Sequence, residues 1–379
     1  MRIGVVCYPT FGGSGVVATE IGMALANKGY EVHFITYNLP VRLDLISSGI
    51  HFHQVQIEEY SLFHYQPYEL ALSSKMVQVA EKYNLELLHV HYAIPHAYAA
   101  YMAKQMLREK GIDIRVVTTL HGTDITLVGS HPNYKTAVEF SINHSDVVTT
   151  VSKSLRDDTY RLFDINREIE VVYNFIEIDK YAKHPMGGEE CQRGSIATED
   201  EFILTHISNY RPVKRAKDVV KIFAKVLEKK PAKLMLVGQG PEMVEVKRLA
   251  RELGVFDKIL FLGNSLEVNK ILCYSDVFIL PSKSESFGLA ALEAMAAKTP
   301  VISTNTGGLP EVNIHGITGF LSDVKDVDDM AKNTLKLIES KEILEGYKQN
   351  AFERAKTFSI DQVLPQYEAI YKSLVVTTA

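Results

Sequence analysis

MRIGVVCYPTFGGSGVVATEIGMALANKGYEVHFITY, residues 1–37, carries the pattern that decides the fold. Residues 1–7 are a largely apolar run, as a strand covered on both faces requires. Gly12-Gly13-Ser14-Gly15 interrupts it, a helical pattern fills 17–28, and Gly29 is a helix stop. EVHFITY, 31–37, reads as the next strand. Strand, glycine turn, helix and strand make one βαβ unit, whose strands run parallel because a helix joins them.

Outward from this unit the alternation continues. Residues 85–92 read as a strand, 95–110 as a helix, 114–120 as a fourth strand, 135–143 as a helix, and 146–151 and 171–173 as strands. HPMGGEECQRGSIATED, 184–200, loses all periodicity and reads as a linker. The pattern then restarts, with strands at 202–207, 233–237, 259–262, 277–281 and 301–304 and helices at 215–229, 242–253 and 288–297. Continuous apolar strands separated by helices predict two doubly wound α/β domains, with parallel sheets facing a central cleft. Ligands in such sheets bind beyond the carboxyl ends of the strands.

Composition narrows the function. The chain has 379 residues, 46% hydrophobic and 23% charged, enough for more than one packed core and too apolar for disorder. No apolar run approaches the roughly 18–20 residues that span a bilayer, and the N-terminus lacks the pattern of a signal peptide. A cytoplasmic location is expected. Three scattered cysteines, Cys7, Cys191 and Cys273, argue against a disulfide framework or a cysteine metal site. A net charge of −5 offers no global attraction for nucleic acid or anionic lipid, so an anionic ligand needs a local positive patch.

Such patches stand at the strand ends. Gly12-Gly13-Ser14-Gly15 can bring backbone N–H groups to an anion at a helix N-terminus, or can simply make a tight turn. The spacing is not G-x-G-x-x-G, and Tyr37 and Asn38 stand where a ribose-binding acid belongs, so dinucleotide binding is disfavoured. Thr118-Thr119-Leu120-His121-Gly122-Thr123-Asp124 places hydroxyls, an imidazole and a carboxylate at a strand's carboxyl end, within reach of Tyr92. His89 and His91 share a strand face, but with no further ligand nearby they read as a polar strand end rather than a metal site. Asn209-Tyr210-Arg211-Pro212-Val213-Lys214-Arg215 concentrates three cations before a helix, where charge and dipole both favour an anion. Glu285 and Glu293 flank Ser286-Phe287-Gly288-Leu289, whose N–H groups can face a phosphate while the carboxylates accept sugar hydroxyls. Asp326-Val327-Asp328 reads as helix capping rather than a metal–nucleotide motif.

Taken together these blocks resemble a retaining, nucleotide-sugar-dependent GT-B glycosyltransferase of family 4. The likeness covers nearly the whole chain: the glycine turn, HGTD at 121–124, Asn-Phe-Ile at 174–176, the basic turn, GQGPE at 238–242 and ESFGLAALE at 285–293, similar to the family's E-x7-E. Longer blocks at 7–20, 89–96, 118–126 and 208–215 resemble the branch that moves GlcNAc from UDP-GlcNAc to L-malate and opens bacillithiol biosynthesis. The resemblance implies a first Rossmann-like domain over 1–175 that binds the acceptor, a crossover and linker over 176–200, and a nucleotide-sugar domain over 201–357. A final helix, about 358–379, then returns to the first domain. It further implies that Arg211 and Lys214 hold the diphosphate in place of a metal, aided by Gly13–Gly15 and Asn209. Glu293 would hold the ribose, while Glu285 and the backbone of Ser286, Phe287, Gly288 and Leu289 hold sugar and phosphate. His121 would lie near the reacting centre, with Ser14, Tyr92, Thr119 and Asn174 on malate. No metal or other cofactor is expected, and a homodimer is plausible for such a chain. The alternatives are a family 4 transferase acting on a lipid or inositol acceptor, a non-catalytic sugar-nucleotide binder, and an epimerase on the same two-domain plan. Against a lipid acceptor, the cationic stretch 102–115 is broken by Gly111 and carries Glu109 and Asp113, so no stable membrane association is expected.

Overall fold

The computed structural model describes residues 1–10, 12–57, 66–182, 193–265 and 267–375. It divides into two compact units, Met1–Asn174 with Asp361–Ala379, and Phe175–Ile360. Most of the expected linker, residues 184–192, lies outside the described residues.

In the N-terminal unit the chain runs β1 (Arg2–Val6), α1 (Gly13–Asn27), β2 (Glu31–Thr36), β3 (Ile50–Gln54), α2 (Tyr68–Tyr83), β4 (Leu87–His91), α3 (Tyr98–Glu109), β5 (Arg115–Leu120), α4 (Pro132–Asn143), β6 (Val147–Thr150), α5 (Lys153–Leu162) and β7 (Ile169–Val171). The seven strands are ordered β3-β2-β1-β4-β5-β6-β7, and every pairing is parallel. Strand order reverses between β1 and β4, so their carboxyl ends open the crevice where such sheets bind ligands. Val6, Ile35 and Val90 of the sheet pack with Leu72 and Met76 of α2 and Ala103 and Leu107 of α3. That buried face fixes where the strand ends stand.

The C-terminal unit repeats the plan with α6 (Asp179–Ala182), β8 (Phe202–Ile207), α7 (Ala216–Leu227), β9 (Ala232–Val237), α8 (Met243–Glu252), β10 (Ile259–Gly263), α9 (Val268–Cys273), β11 (Val277–Leu280), α10 (Leu289–Ala296), β12 (Val301–Thr304), α11 (Leu309–Val312), β13 (Gly319–Ser322), α12 (Val327–Leu337) and α13 (Lys341–Lys356). Its six strands are ordered β10-β9-β8-β11-β12-β13, with the reversal between β8 and β11. Helix α7 buries Val219, Ile222 and Phe223 against Leu204, Leu234 and Ile279 of the sheet. The last helix, α14 (Ile360–Val375), belongs to the N-terminal unit from Asp361 onward. There Glu368 meets Lys28 and Tyr30, and the Tyr371 hydroxyl shares a 2.7 Å hydrogen bond with His89 Nδ1.

Several sequence expectations need correction. The strand ending at Leu120 is the fifth, because β3 was not anticipated; nor were α2, α5, β13 and α13. The helix expected from 95 begins at Tyr98 after an irregular turn at Ala93–Ala97, because Pro95 interrupts regular backbone hydrogen bonding. Cys7 is a buried free thiol, and Cys191 lies outside the described residues. Asp326 caps α12 by accepting from Asp329 N, as its capping reading required. Among the described residues, no helix is long and apolar enough to cross a membrane.

Candidate active site

At the switch point of the N-terminal unit, β1 leads into the turn that starts α1. Helix α1 has no side-chain cap and no acidic residue in its first turn, so its leading N–H groups and positive dipole end suit an anion. Gly15 is required by packing: a Cβ there would lie 2.4 Å from the Tyr8 carbonyl oxygen. The tight-turn reading therefore holds at Gly15. Ser14 Oγ and the Tyr92 hydroxyl are 2.6 Å apart, which joins the end of β1 to the end of β4. Tyr92 has φ 86°, a strained conformation for a bulky residue. Burial pushes its phenol up to about 12, so it is a protonated donor at neutral pH.

Behind Tyr92 lies a set of buried imidazoles. The Tyr92 and His121 rings are 5.2 Å apart, and His121 Nε2 shares a 2.8 Å hydrogen bond with His91 Nδ1. Burial, reinforced by His96, pushes His121 down to about 3; burial likewise holds His91 well below its usual range and His96 at about 4. All three are neutral at pH 7, so His121 offers hydrogen bonds and no charge. Asp124 pins the turn: its carboxylate accepts from Ala93 N at 2.9 Å, Gly122 N at 2.9 Å and His121 N at 3.2 Å. Burial raises that carboxyl to about 6 against those three bonds.

Thr119 takes a different place. Its hydroxyl is fully buried between His89 Nε2 at 2.8 Å and Thr149 Oγ1 at 2.7 Å, behind the site rather than in it. His89 spends both ring nitrogens, on Thr119 and on Tyr371, which agrees with reading His89 as structural. Asn174 is buried at the last position of the N-terminal segment.

The C-terminal unit places its residues at the equivalent switch point. After β8, Tyr210 turns at φ 45° with its ring buried, and Asn209 and Arg211 stand exposed on either side. Lys214 Nζ lies 2.6 Å from Glu285 Oε1, which also accepts from Ser282 Oγ at 2.8 Å. Arg215 is drawn to Asp218 of α7, so the three-cation patch reduces to Arg211 and Lys214. After β11, Glu285, Ser286 and Phe287 lead to Gly288, which turns at φ 98° and starts α10 at Leu289 with no side-chain cap. Glu293 is on α10, with Oε1 accepting from the Tyr181 hydroxyl at 3.2 Å. Arg211, Lys214, Glu285 and Glu293 thus come from the two strand ends that flank the reversal.

Sequence reasoning missed two features. His91 was set aside, although its pairing with Thr119 on β5 places it beside the HGTD turn. A cavity of about 430 Å³ lined by Gly238, Gly240, Lys247, Phe261 and Gly263 also went unread, although Gly238 and Gly240 were quoted in GQGPE.

Two family descriptions match the chain: Glycosyltransferase Family 4 over residues 11–180, and Glycosyl transferases group 1 over 189–354. Two Rossmann-like sheets, each with polar groups gathered where its strand order reverses, make this a glycosyltransferase of the GT-B fold, and the chain belongs to family 4. Its similarity is strong to one particular member, N-acetyl-alpha-D-glucosaminyl L-malate synthase of Bacillus anthracis: 48% identity over 98% of this chain and 96% of that protein. An uncharacterized glycosyltransferase of Methanocaldococcus jannaschii is 27% identical over 95% of this chain and 94% of its own. Among solved structures, sucrose-phosphate synthase of Thermosynechococcus elongatus superposes with TM-score 0.82 at 20% identity, covering 100% of both chains. Anabaena Alr3699/HepE, solved with UDP and glucose, gives 0.81 at 20% identity, covering 98% of this chain and 100% of its own. These two show the fold.

Proposed function

We propose that this chain transfers N-acetylglucosamine from UDP-N-acetylglucosamine to the hydroxyl of L-malate with retention of the α configuration. The observation that carries this reading is the 48% identity, over nearly the full length of both chains, to the malate synthase of Bacillus anthracis. The site chemistry supports it: both substrates are anions, and the chain's net charge of −5 is locally reversed at Arg211 and Lys214.

Arg211 and Lys214 take the donor diphosphate, which competes with Glu285 for Lys214 and leaves the Glu285 carboxylate to accept hexose hydroxyls. Glu293, held by Tyr181, accepts the ribose hydroxyls, and the N–H groups at the start of α10 meet the phosphate. Ser14, Tyr92 and the uncapped start of α1 receive the malate carboxylates, with Asn174 at the margin. Thr119 is not assigned to malate, because its hydroxyl is already bonded on both sides. His121, neutral at pH 7, steadies the hexose without adding charge.

In the step itself the malate oxygen bonds to the anomeric carbon while the bond from that carbon to the diphosphate breaks. The hydroxyl proton passes to a diphosphate oxygen on the same face. The protein supplies positioning and charge stabilisation rather than a nucleophile. An acceptor panel with UDP-N-acetylglucosamine tests the reading, using malate, inositol phosphate and a lipid acceptor, with the product anomer read by NMR. An α-linked malate product is expected; turnover with only the lipid or inositol acceptor, or a β-linked product, overturns it.

A further inference from the structure

A group of side chains on β2 and β3 has no part in the transferase chemistry. Glu31 and His33 are two apart on β2, and His51 and His53 are two apart on edge strand β3. The register sets His33 opposite His51, so all four side chains share one face of the sheet. Glu31 opens its strand, which puts the group toward the amino end of β2, away from the carboxyl ends where Ser14, Tyr92 and His121 meet.

The ligating atoms converge. His33 Nε2 is 3.2 Å and His51 Nε2 is 3.4 Å from the same oxygen, Glu31 Oε1, and the three ligand atoms all lie within 4.8 Å of one another. A tetrahedral ion with bonds of about 2.0–2.1 Å holds its ligands roughly 3.3 Å apart, close to the two histidine–carboxylate separations here. His33 is fully buried, and its other nitrogen, Nδ1, is 2.9 Å from His53 Nε2. If His33 Nδ1 donates that bond, Nε2 presents its lone pair toward Glu31, and His53 serves as the outer partner that fixes a metal-binding tautomer.

From this arrangement we propose a divalent transition-metal site of the zinc type, with Glu31, His33 and His51 as protein ligands, a water as the fourth, and His53 behind His33. Two imidazoles and a carboxylate suit Zn²⁺, Co²⁺ or Ni²⁺ rather than Mg²⁺ or Ca²⁺, which prefer all-oxygen shells. The His33 and His51 rings are stacked 4.5 Å apart, so binding turns His51 about its Cβ–Cγ bond, a motion its 43% exposure permits. Because β3 is the edge strand, the ion would staple the end of the sheet to β2 and would leave the transferase site untouched.

The test uses the full chain, stripped with chelator, dialysed and titrated with Zn²⁺ by calorimetry, with Co²⁺ absorption as a second probe of tetrahedral geometry. One equivalent of Zn²⁺ is expected. Affinity should fall about 10-fold or more in His51→Ala and in Glu31→Gln, both at partly exposed positions, and should be unchanged in His131→Gln. His33 is left intact because its ring is buried. Zn²⁺ should raise the melting temperature of the wild-type chain and not of His51→Ala, while His51→Ala keeps its turnover. Binding well below one equivalent would mean a hydrogen-bonded histidine relay only, and binding unaltered by both substitutions would place the ion elsewhere; either result overturns the proposal.

Discussion

In the N-terminal unit the groups at the switch point are neutral: three buried imidazoles driven far from protonation, and a half-buried phenol, held protonated, beside a half-buried serine hydroxyl. In the C-terminal unit the equivalent place holds an exposed guanidinium and an ion pair, Lys214 with Glu285. Both units still build the place the same way, with a tyrosine in an unfavourable backbone conformation after a strand that borders the reversal, Tyr92 at φ 86° and Tyr210 at φ 45°. Each such residue costs about 1–3 kcal/mol, and buried polar atoms without protein hydrogen-bond partners, His91 Nε2 and His96 Nε2 in the N-terminal unit and the Tyr210 hydroxyl in the C-terminal unit, add about 1–3 kcal/mol each. Strain and unmet polarity therefore gather more heavily in the neutral half. The difference suggests a division of labour: charge on the C-terminal unit answers a diphosphate, and directional hydrogen bonds on the N-terminal unit select a small acceptor.

The comparison breaks first at Lys214. Lys214→Ala should lower turnover about 10²-fold or more, the scale of losing a charge partner in the transition state. Glu285→Gln on that background should recover part of the loss, because it removes the carboxylate left facing the diphosphate. Steady-state kinetics within a few-fold of wild type would dissolve the contrast between the units. Next in size, His91→Ala should cost about 10-fold in kcat by freeing the His121 ring, with little change in the KM for donor. An unchanged kcat would remove His121 from the reacting centre. Tyr92→Phe should raise malate KM about 3- to 10-fold and leave donor KM alone, since it deletes one hydrogen bond.

A smaller and slower readout is thermal. His89, His96 and His121 are protonated in the unfolded chain below about pH 6.5 and stay neutral when folded until pH falls to about 4 or lower. Unfolding therefore takes up protons in that window, and stability is full above pH 6.5 and lost as pH falls through it. Asp124, raised to about 6, opposes this with a single proton. The melting temperature should drop steadily from pH 6.5 to 4.5, and a flat profile would mean that the imidazoles are hydrated. Smallest of all, EDTA should leave turnover unchanged; a complete loss restored by Mg²⁺ would show that Arg211 and Lys214 do not suffice.

Legibility followed burial on both faces. β8, β12 and the cores of β1 and β11 read correctly because central parallel strands are continuous apolar runs. β3, IHFHQ, did not, because its histidines alternate with apolar residues at the sheet edge and mimic a polar loop. α13 was equally silent: KEILEGYKQNAFERAK is mostly exposed, with few apolar positions to set a period. At the site, glycine turns and the 285–293 block were visible because their residue types are rare in that order. The pairing of Lys214 with Glu285, Arg215's diversion to Asp218 and Thr119's burial were not, since each depends on a partner distant in sequence or on rotamer choice.

Helix α14 gives the chain a particular order of assembly. The N-terminal unit owns the first 174 residues and the last helix, and Tyr371 on that helix completes the bond to His89 that in turn orients Thr119. During synthesis the N-terminal sheet emerges first, yet its closing helix leaves the ribosome only after the whole second unit has been made. Until then the His89 side of the sheet stays uncovered. The protein is thus built so that its N-terminal unit is finished last, and a chain cut short by even a few turns at its end would lack a finished N-terminal unit while its C-terminal unit stood complete.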